Sequence, residues 1–301
     1  MTAHDPLLPP HKASFHHVVF ADDVADRGRA LNFAGGQPAA EPPARASESL
    51  APDERAFVIW LFEQAGICAR NYRQETLVRR LPACLRLIRV ASVREARRAL
   101  ELNPALVPDA VDTLVIGVTS FFRDAQVFDA LRDRVLPLLL EARRPLRIWS
   151  VGCSDGQEMY SIIMLLAELG WLNRADLLGT DCRVPAVRRA AAGAFSDADV
   201  RSVPSTMLRR YFTLSEWGWR VEARLRTVVQ WRAGDVLQVD EPGIWDLILC
   251  RNVAMYFEPH VASDLWQRLH AALGRGRILV TGKAERPGEG FTSLAPCIYR
   301  S

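Results

Sequence analysis

No stretch of the 301-residue chain approaches the roughly 18 consecutive apolar residues of a membrane-spanning helix, so membrane insertion is not expected. The first residues, MTAHDPLLPPHKASFHH, lack a basic segment followed by an apolar one, so a secretion signal is not expected either. Cysteine is sparse. Cys68, Cys84, Cys153, Cys182, Cys250 and Cys297 are far apart, with no CxxC pair, which argues against a metal centre. They fit reduced, mostly buried thiols of a cytoplasmic protein. Charge is also low. A net charge of +3 and a pI of about 8.6 are too small to imply a nucleic-acid partner. There is no internal repeat, and no GxGxxG signature of a dinucleotide site.

What is present is 49% hydrophobic residues, enough for one large domain or two smaller ones. Residues 1–52 stand apart, rich in Pro, Ala, His and small polar residues, and their composition predicts a flexible arm. Within it, Phe15–Phe20 is a short apolar run that fits a docked strand. His11, His16 and His17 have no Cys or carboxylate partner at ligand spacing. Residues 53–115 have helical periodicity. Phe57, Trp60, Leu61 and Ala65 mark a first helix that Gly66 stops. Leu77, Leu81, Leu85 and Ile88 mark a second over 74–90, with Pro82 expected to bend it or to lie near a boundary. Ser92 is a good N-cap for a third. Arg73, Arg79, Arg80, Arg86 and Arg89 crowd the second helix. They fit equally a solvated face or a surface for an acidic protein partner.

The pattern changes after Asp124. A helix is expected over 127–142. Strands then alternate with helices: strand 146–151, helix 158–170, strand 176–181, helix 184–194, strands 227–231 and 244–250, helix 259–273, strands 277–281 and 297–300. That alternation predicts βαβ units and a parallel sheet. Ligands of such sheets bind at the carboxyl ends of the strands, near the switch in strand order. Four ends carry informative residues. Gly152-Cys153-Ser154-Asp155-Gly156 follows the first strand, and its glycines allow close backbone approach to a ligand. Asp181 ends the second, where a ribose is gripped through its hydroxyls. Asp235 follows a third and suits an adenine amino group. Cys250-Arg251-Asn252-Val253 continues a wholly apolar strand, and buried Arg and Asn need partners such as a ligand. Gly152–Gly156 also fits, as a remote alternative, the GxSxG elbow of a hydrolase with Ser154 as nucleophile, although only His260 and His270 follow it.

Thr119-x-Phe121-Phe122-Arg123-Asp124, Gly152-Cys153-Ser154-x-Gly156-x-Glu158-x-Tyr160-Ser161, Gly179-Thr180-Asp181 and Cys250-Arg251-Asn252-Val253-x-x-Tyr256-Phe257 occur in this order. Together they strongly resemble the CheR-type chemotaxis receptor methyltransferases, from about residue 53 to the C-terminus. The resemblance implies an α/β fold: a class I methyltransferase sheet of seven strands over 116–301, the last antiparallel, preceded by a small all-α domain. It also implies a small antiparallel insertion at about 196–226. The implied activity is methyl transfer from S-adenosylmethionine to the side-chain carboxylate of receptor glutamates, giving a methyl ester and S-adenosylhomocysteine. The implied partner is the cytoplasmic region of a chemoreceptor-like protein, engaged through Arg79, Arg80, Arg86 and Arg89. A monomer is expected.

By motif position, the resemblance places Thr119 and Arg123 on the methionine part of the cofactor and Glu158 on its amino group. Asp181 falls on the ribose, Asp235 with Val236 on the adenine region, and Gly152, Asn252 and Val253 line the pocket. Arg123, Arg251 and Tyr256 are expected to face the acceptor carboxylate. Several positions depart from the family pattern. Gln157 and Met159 flank Glu158, Gly117 stands where the family has Asn, Cys182-Arg183 follows Asp181, and Lys283-Ala284-Glu285 replaces a His-Ser-Glu turn. The changes predict a missing polar contact to the cofactor at 117. They leave open a different acceptor, or a regulator that binds the cofactor without catalysis.

Overall fold

The computed structural model describes residues 49–301 except 116, 217, 239, 240 and 242. The arm expected over 1–52, with Phe15–Phe20 and its three histidines, lies almost wholly outside the described residues. The described residues open with four helices: α1 (Pro52–Gln64), α2 (Gln74–Ile88), α3 (Val93–Leu102) and α4 (Val107–Leu114). α1 buries Phe57, Val58, Leu61 and Phe62, a face turned by one residue from the Phe57–Trp60–Leu61–Ala65 stripe. Pro82 sits inside α2 rather than at an end. Ser92 caps α3 by accepting a hydrogen bond from the Glu95 amide at 3.3 Å.

The helix expected over 127–142 is composite. α5 (Ala125–Ala130) and α6 (Leu136–Leu140) are joined by a π-turn at Leu131–Val135. Pro137 has no amide hydrogen to donate backwards, so the regular ladder is already broken where the wider turn sits. The sheet follows, with β1 (Leu146–Val151), α7 (Gln157–Glu168), β2 (Ala175–Asp181) and α8 (Val184–Ala192). A small excursion holds β3 (Ala194–Phe195), α9 (Ser205–Tyr211), β4 (Phe212–Ser215), β5 (Gly218–Val221) and α10 (Ala223–Arg226). Then come β6 (Val229–Ala233), β7 (Trp245–Cys250), α11 (Pro259–Ala272), β8 (Leu273–Thr281), β9 (Thr292–Ala295) and β10 (Ile298–Arg300).

The main sheet has seven strands in the order β6-β2-β1-β7-β8-β10-β9. β6, β2, β1, β7 and β8 run parallel, and β10 is antiparallel to both of its neighbours. This is the class I methyltransferase architecture, with the last strand reversed. β9 has no counterpart among the expected strands: with three exposed residues and one half-buried, it carries no apolar alternation to signal it. The excursion is an antiparallel sheet of order β3-β5-β4.

Side-chain alternation gives the sheet two apolar faces. Leu146, Ile148, Leu247 and Leu249 face α5–α7 and the small sheet. Trp149, Val151, Ile248 and Cys250 face the other way, into one continuous core with α1–α4 and α11. The helical module is therefore packed directly against the sheet. Among the described residues, no helix is long and apolar enough to cross a membrane.

Candidate active site

The sheet order switches at β1, whose neighbours are β2 on one side and β7 on the other. That crevice is where a parallel sheet accepts a ligand. One concavity opens there. It is lined by every residue assigned above to the cofactor or the acceptor: Thr119, Arg123, Gly152, Glu158, Asp181, Asp235, Val236, Arg251, Asn252, Val253 and Tyr256. They come from five separate stretches of the sequence, and only the fold brings them together.

The floor is the turn after β1. Gly152 has φ +66°, and a Cβ there would stand 2.4 Å from Cγ2 of Val253, so both conformation and space require glycine. Ser154 also adopts a positive φ, of +51°. Its amide donates to Asp181 Oδ2 at 2.8 Å, which ties this turn to the end of β2. Its hydroxyl donates to the Gly117 carbonyl at 2.7 Å and accepts from Arg183 at 3.0 Å. The hydroxyl is thus engaged with a carbonyl and a guanidinium, while His260 and His270 both lie on α11. A hydrolase elbow needs a histidine at this oxygen.

The turn leads into α7, whose first turn carries Glu158. Its Oε1 accepts from Ser150 Oγ at 2.8 Å and its Oε2 from Arg251 at 3.2 Å. Arg251 runs beneath the floor with its side chain only 1% exposed. It also donates to Asp124 Oδ2 at 2.7 Å and to the Arg123 carbonyl at 2.9 Å. Arg251, expected to face an incoming acceptor, lines the concavity but gives both terminal nitrogens to these partners, and its Nε has none among the described residues. The guanidinium is committed to Glu158 and to the Phe121–Asp124 loop, and it braces one against the other.

That loop is held in an unusual shape. Phe122 and Asp124 have φ of +49° and +61°. The Phe122 amide donates to Ser161 Oγ at 3.0 Å, and Ser202 Oγ donates to the Phe121 carbonyl at 2.7 Å. Phe121 is fully buried against Phe195 and Phe212 of the small sheet. The anchoring leaves Arg123 at the mouth, where its guanidinium donates to the Val118 carbonyl at 2.9 Å. Tyr256, half-buried, lines the same mouth. Burial raises its phenol pKa above the ordinary value, although Arg123 acts in the opposite direction. At neutral pH Tyr256 is a hydrogen-bond donor.

At the other end, Asp235 accepts from the Leu237 amide at 2.9 Å and from Gln238 at 3.3 Å. Burial pushes its carboxyl pKa up. Gln238 also donates to the Gly66 carbonyl, so the loop after β6 is tied to the helical module. Asn252 has φ +60° and a buried Oδ1 with no partner among the described residues.

Four contributors have no role assigned from the sequence, although three of them, Cys182, Arg183 and Glu285, fall at positions noted as departures from the family pattern. Glu285, 3% exposed, accepts from the amides of Asn252 (2.7 Å), Val253 (2.8 Å), Met255 (3.2 Å) and Gly282 (2.7 Å). One carboxylate thereby shapes the whole loop after β7. An acid four residues beyond β8 is a signal that could have found it. Tyr72 lines the concavity from the helical module, packs edge-on against Phe257 at 5.1 Å, and pairs with it through an isolated antiparallel bridge. No local pattern announces a contact across that distance in the chain. Cys182 and Arg183 line the concavity beside Asp181.

The lining suits S-adenosylmethionine. Glu158, Asp181 and Asp235 give it the carboxylates that a cationic cofactor with a ribose and an ammonium group requires, Val236, Val253, Tyr72 and Phe257 give it apolar walls, and Asn252 Oδ1 is a buried acceptor in need of a donor. Comparison with known proteins agrees. A family model described as CheR methyltransferase, SAM binding domain, matches residues 117–293, more than half of the chain. Chemotaxis protein methyltransferase 1 of Pseudomonas aeruginosa is 31% identical over 245 residues, covering 77% of this chain and 89% of the relative. A probable chemotaxis protein methyltransferase of Rhizobium etli is 31% identical over 258 residues, covering 80% and 96%. Chemotaxis protein methyltransferase 1 of Vibrio cholerae is 28% identical over 241 residues, covering 77% and 88%. The chain belongs to the CheR methyltransferase family and carries its S-adenosylmethionine-binding domain.

Proposed function

We propose that this protein methylates the γ-carboxylate of glutamates in the cytoplasmic region of a chemoreceptor-like protein, and works in the cytoplasm. The observation that carries the reading is the polarity of the concavity. Its floor is net acidic, with the carboxylates of Glu158, Asp181 and Asp235 against the guanidiniums of Arg183 and Arg251, while its mouth presents Arg123 and the protonated phenol of Tyr256. A floor of that sign receives a cation. A mouth of the opposite sign receives an anion.

The residues divide accordingly. Asp181 takes the ribose, and Asp235 with Val236 the adenine end. Asn252, Val253 and Gly152 line the middle. Glu158 holds the ammonium group, and Thr119 with Arg123 the methionine part. Bound there, the cofactor supplies a methyl group activated by a sulfonium. A glutamate carboxylate, with a pKa of about 4.3, is already ionised at neutral pH, so the protein needs no general base. Arg123 and Tyr256 orient that carboxylate through charge-assisted hydrogen bonds. Positioning and removal of water supply most of the catalysis. Arg251 belongs to the support of Glu158 rather than to the acceptor.

The acidic partner docks on α2 in this reading. Arg79, Arg86 and Arg89 are exposed, whereas Arg80 donates to the Thr113 carbonyl at 2.8 Å and is partly used. The test is transfer of a labelled methyl group to a receptor cytoplasmic fragment. Base-labile label on glutamate is the expected result. Arg123→Ala is expected to lower kcat/KM by about 10–100-fold, the loss of one or two hydrogen bonds to a charged group. Unchanged transfer by that variant removes Arg123 from the mechanism. Base-stable label places the methyl group on another kind of acceptor.

A further inference from the structure

The two departures at Gly117 and Arg183 meet in space. A Cβ built on Gly117 would fall 2.0 Å from both terminal nitrogens of Arg183 and 2.1 Å from its Cζ. The guanidinium thus fills the volume in which a side chain at 117 would stand. It is not a loose surface group that happens to lie there, because its side chain is 4% exposed. It donates to Asp112 Oδ1 at 2.8 Å, to Ser154 Oγ at 3.0 Å and, through Nε, to Asp181 Oδ1 at 3.1 Å. A fourth, longer contact of 3.4 Å runs from Nη2 to Asp181 Oδ2.

Asp181 is correspondingly crowded. Its Oδ1 accepts from the amide and Nε of Arg183, and its Oδ2 from the Ser154 amide at 2.8 Å and from Nη2. A carboxylate has about four lone-pair sites, so all are addressed. The weakest of these contacts is the long one between Nη2 and Oδ2. A hydroxyl is both donor and acceptor, and can donate to that carboxylate oxygen while accepting from that nitrogen. A bare aspartate offers a ribose only acceptors, whereas this pair offers both.

We propose that Arg183 is a second ribose ligand, acting with Asp181 on one hydroxyl of the cofactor, and that glycine at 117 is the space that admits its guanidinium. The inference rests on Asp181 as the ribose acceptor. The pair Gly117–Arg183 is then a substitute for the polar contact that a side chain at 117 would make, and not two separate losses. The two positions are coupled. An alanine at 117 must displace the guanidinium, and that displacement breaks its bonds to Asp112, Ser154 and Asp181 together.

The experiment is calorimetric binding of S-adenosylhomocysteine and of its 2′-deoxy and 3′-deoxy analogues, with circular dichroism as the check of folding. The wild-type protein should bind one deoxy analogue at least about 10-fold more weakly, since it loses a hydrogen bond to charged groups. In Arg183→Ala that penalty should shrink several-fold, and Gly117→Ala should have the same effect. The double variant should be no worse than Arg183→Ala alone. A merely structural brace would lower the melting temperature and leave the hydroxyl penalty intact, which overturns the proposal. If Arg183→Ala does not fold, Gly117→Ala and Arg183→Lys carry the same measurement. Asp181→Asn separates the two readings. An intact penalty in Arg183→Ala with a lost one in Asp181→Asn sinks only the role of Arg183. An intact penalty in both, or none in the wild type, sinks the ribose reading of Asp181 as well.

Discussion

Arg251→Met tests whether the most deeply buried guanidinium of the site is a brace or a catalyst. The side chain is 1% exposed and bridges Asp124 at 2.7 Å and Glu158 at 3.2 Å, whose side chains are 18% and 11% exposed. Removing one partner of a buried ion pair costs about 3–5 kcal/mol, because the remaining charge is left without compensation. Water reaches both carboxylates to some extent, so the low end, about 3 kcal/mol, applies. For a protein of this size each kcal/mol moves the melting temperature by about 2–4 °C, so a fall of about 6–12 °C is expected. Differential scanning calorimetry reads it directly. Adding Glu158→Gln to Arg251→Met should recover part of the loss, since one of the two orphaned charges is then gone. Binding of S-adenosylhomocysteine should weaken along with stability, because Glu158 is no longer held. A melting temperature within 2 °C of wild type, together with intact cofactor binding and lost methyl transfer, would refute the brace and return Arg251 to the acceptor side.

Three further outcomes are expected. Glu285→Gln replaces one of two oxygens that accept four backbone amides with a donor, and should cost about 2–3 kcal/mol in chemical denaturation and weaken S-adenosylhomocysteine binding. Unchanged binding would show that the loop after β7 keeps its shape without it. Gly152→Ala combines a positive φ with a Cβ 2.4 Å from Val253, and should destabilise the protein by about 1–3 kcal/mol in the same assay. Lys283 and Asp124 predict an acid-side effect. Burial pushes the Asp124 carboxyl up, but Lys283, Arg251 and Arg123 together outweigh it and hold the pKa below its ordinary 3.8. The folded state therefore binds this proton less readily than the unfolded one. The resulting stability is present above about pH 3.8 and is lost as pH falls through the folded value. Lys283→Ala should raise the acid-unfolding midpoint, while at pH 7 it should cost at most about 1 kcal/mol, since Lys283 is 72% exposed. An unmoved midpoint would show that Arg251 and Arg123 set Asp124 without Lys283.

What the sequence discloses and what it hides follow from the range over which each signal acts. The strand ends at Val151, Asp181 and Cys250 are visible because an apolar run that stops at Gly, Asp or Arg-Asn is a local pattern. β9 is invisible because exposed edge residues carry no alternation. The π-turn at Leu131–Val135 is invisible because its apolar spacing still fits one helix. Sequence motifs can bring Arg251 to the site, but they cannot show which way it points. That depends on Asp124, 127 positions away, adopting a positive φ and turning its carboxylate inward.

Gly117 and Arg183 are the sharpest case of this limit. Taken one at a time, each position departs from the family pattern: one lacks a polar side chain, the other sets a cation two residues after the ribose carboxylate. Each reading is sound locally, and both point towards a weakened cofactor site. Yet the two positions share one volume, 2.0 Å from a Cβ on one to the guanidinium of the other. A loss and a gain that occupy the same space form a single replacement. The charge is balanced as well, since Arg183 stands between Asp181 and Asp112. With Arg189 pairing Asp112 and Asp155, the cluster holds three carboxylates to two guanidiniums, and the end of β2 stays net negative, as a site for a cationic cofactor requires. The turn Gly152–Gly156 closes this arrangement from below. Ser154 accepts from Arg183 and gives its own hydrogen to Gly117, so the residue that resembled a nucleophile is the hinge of the substitution.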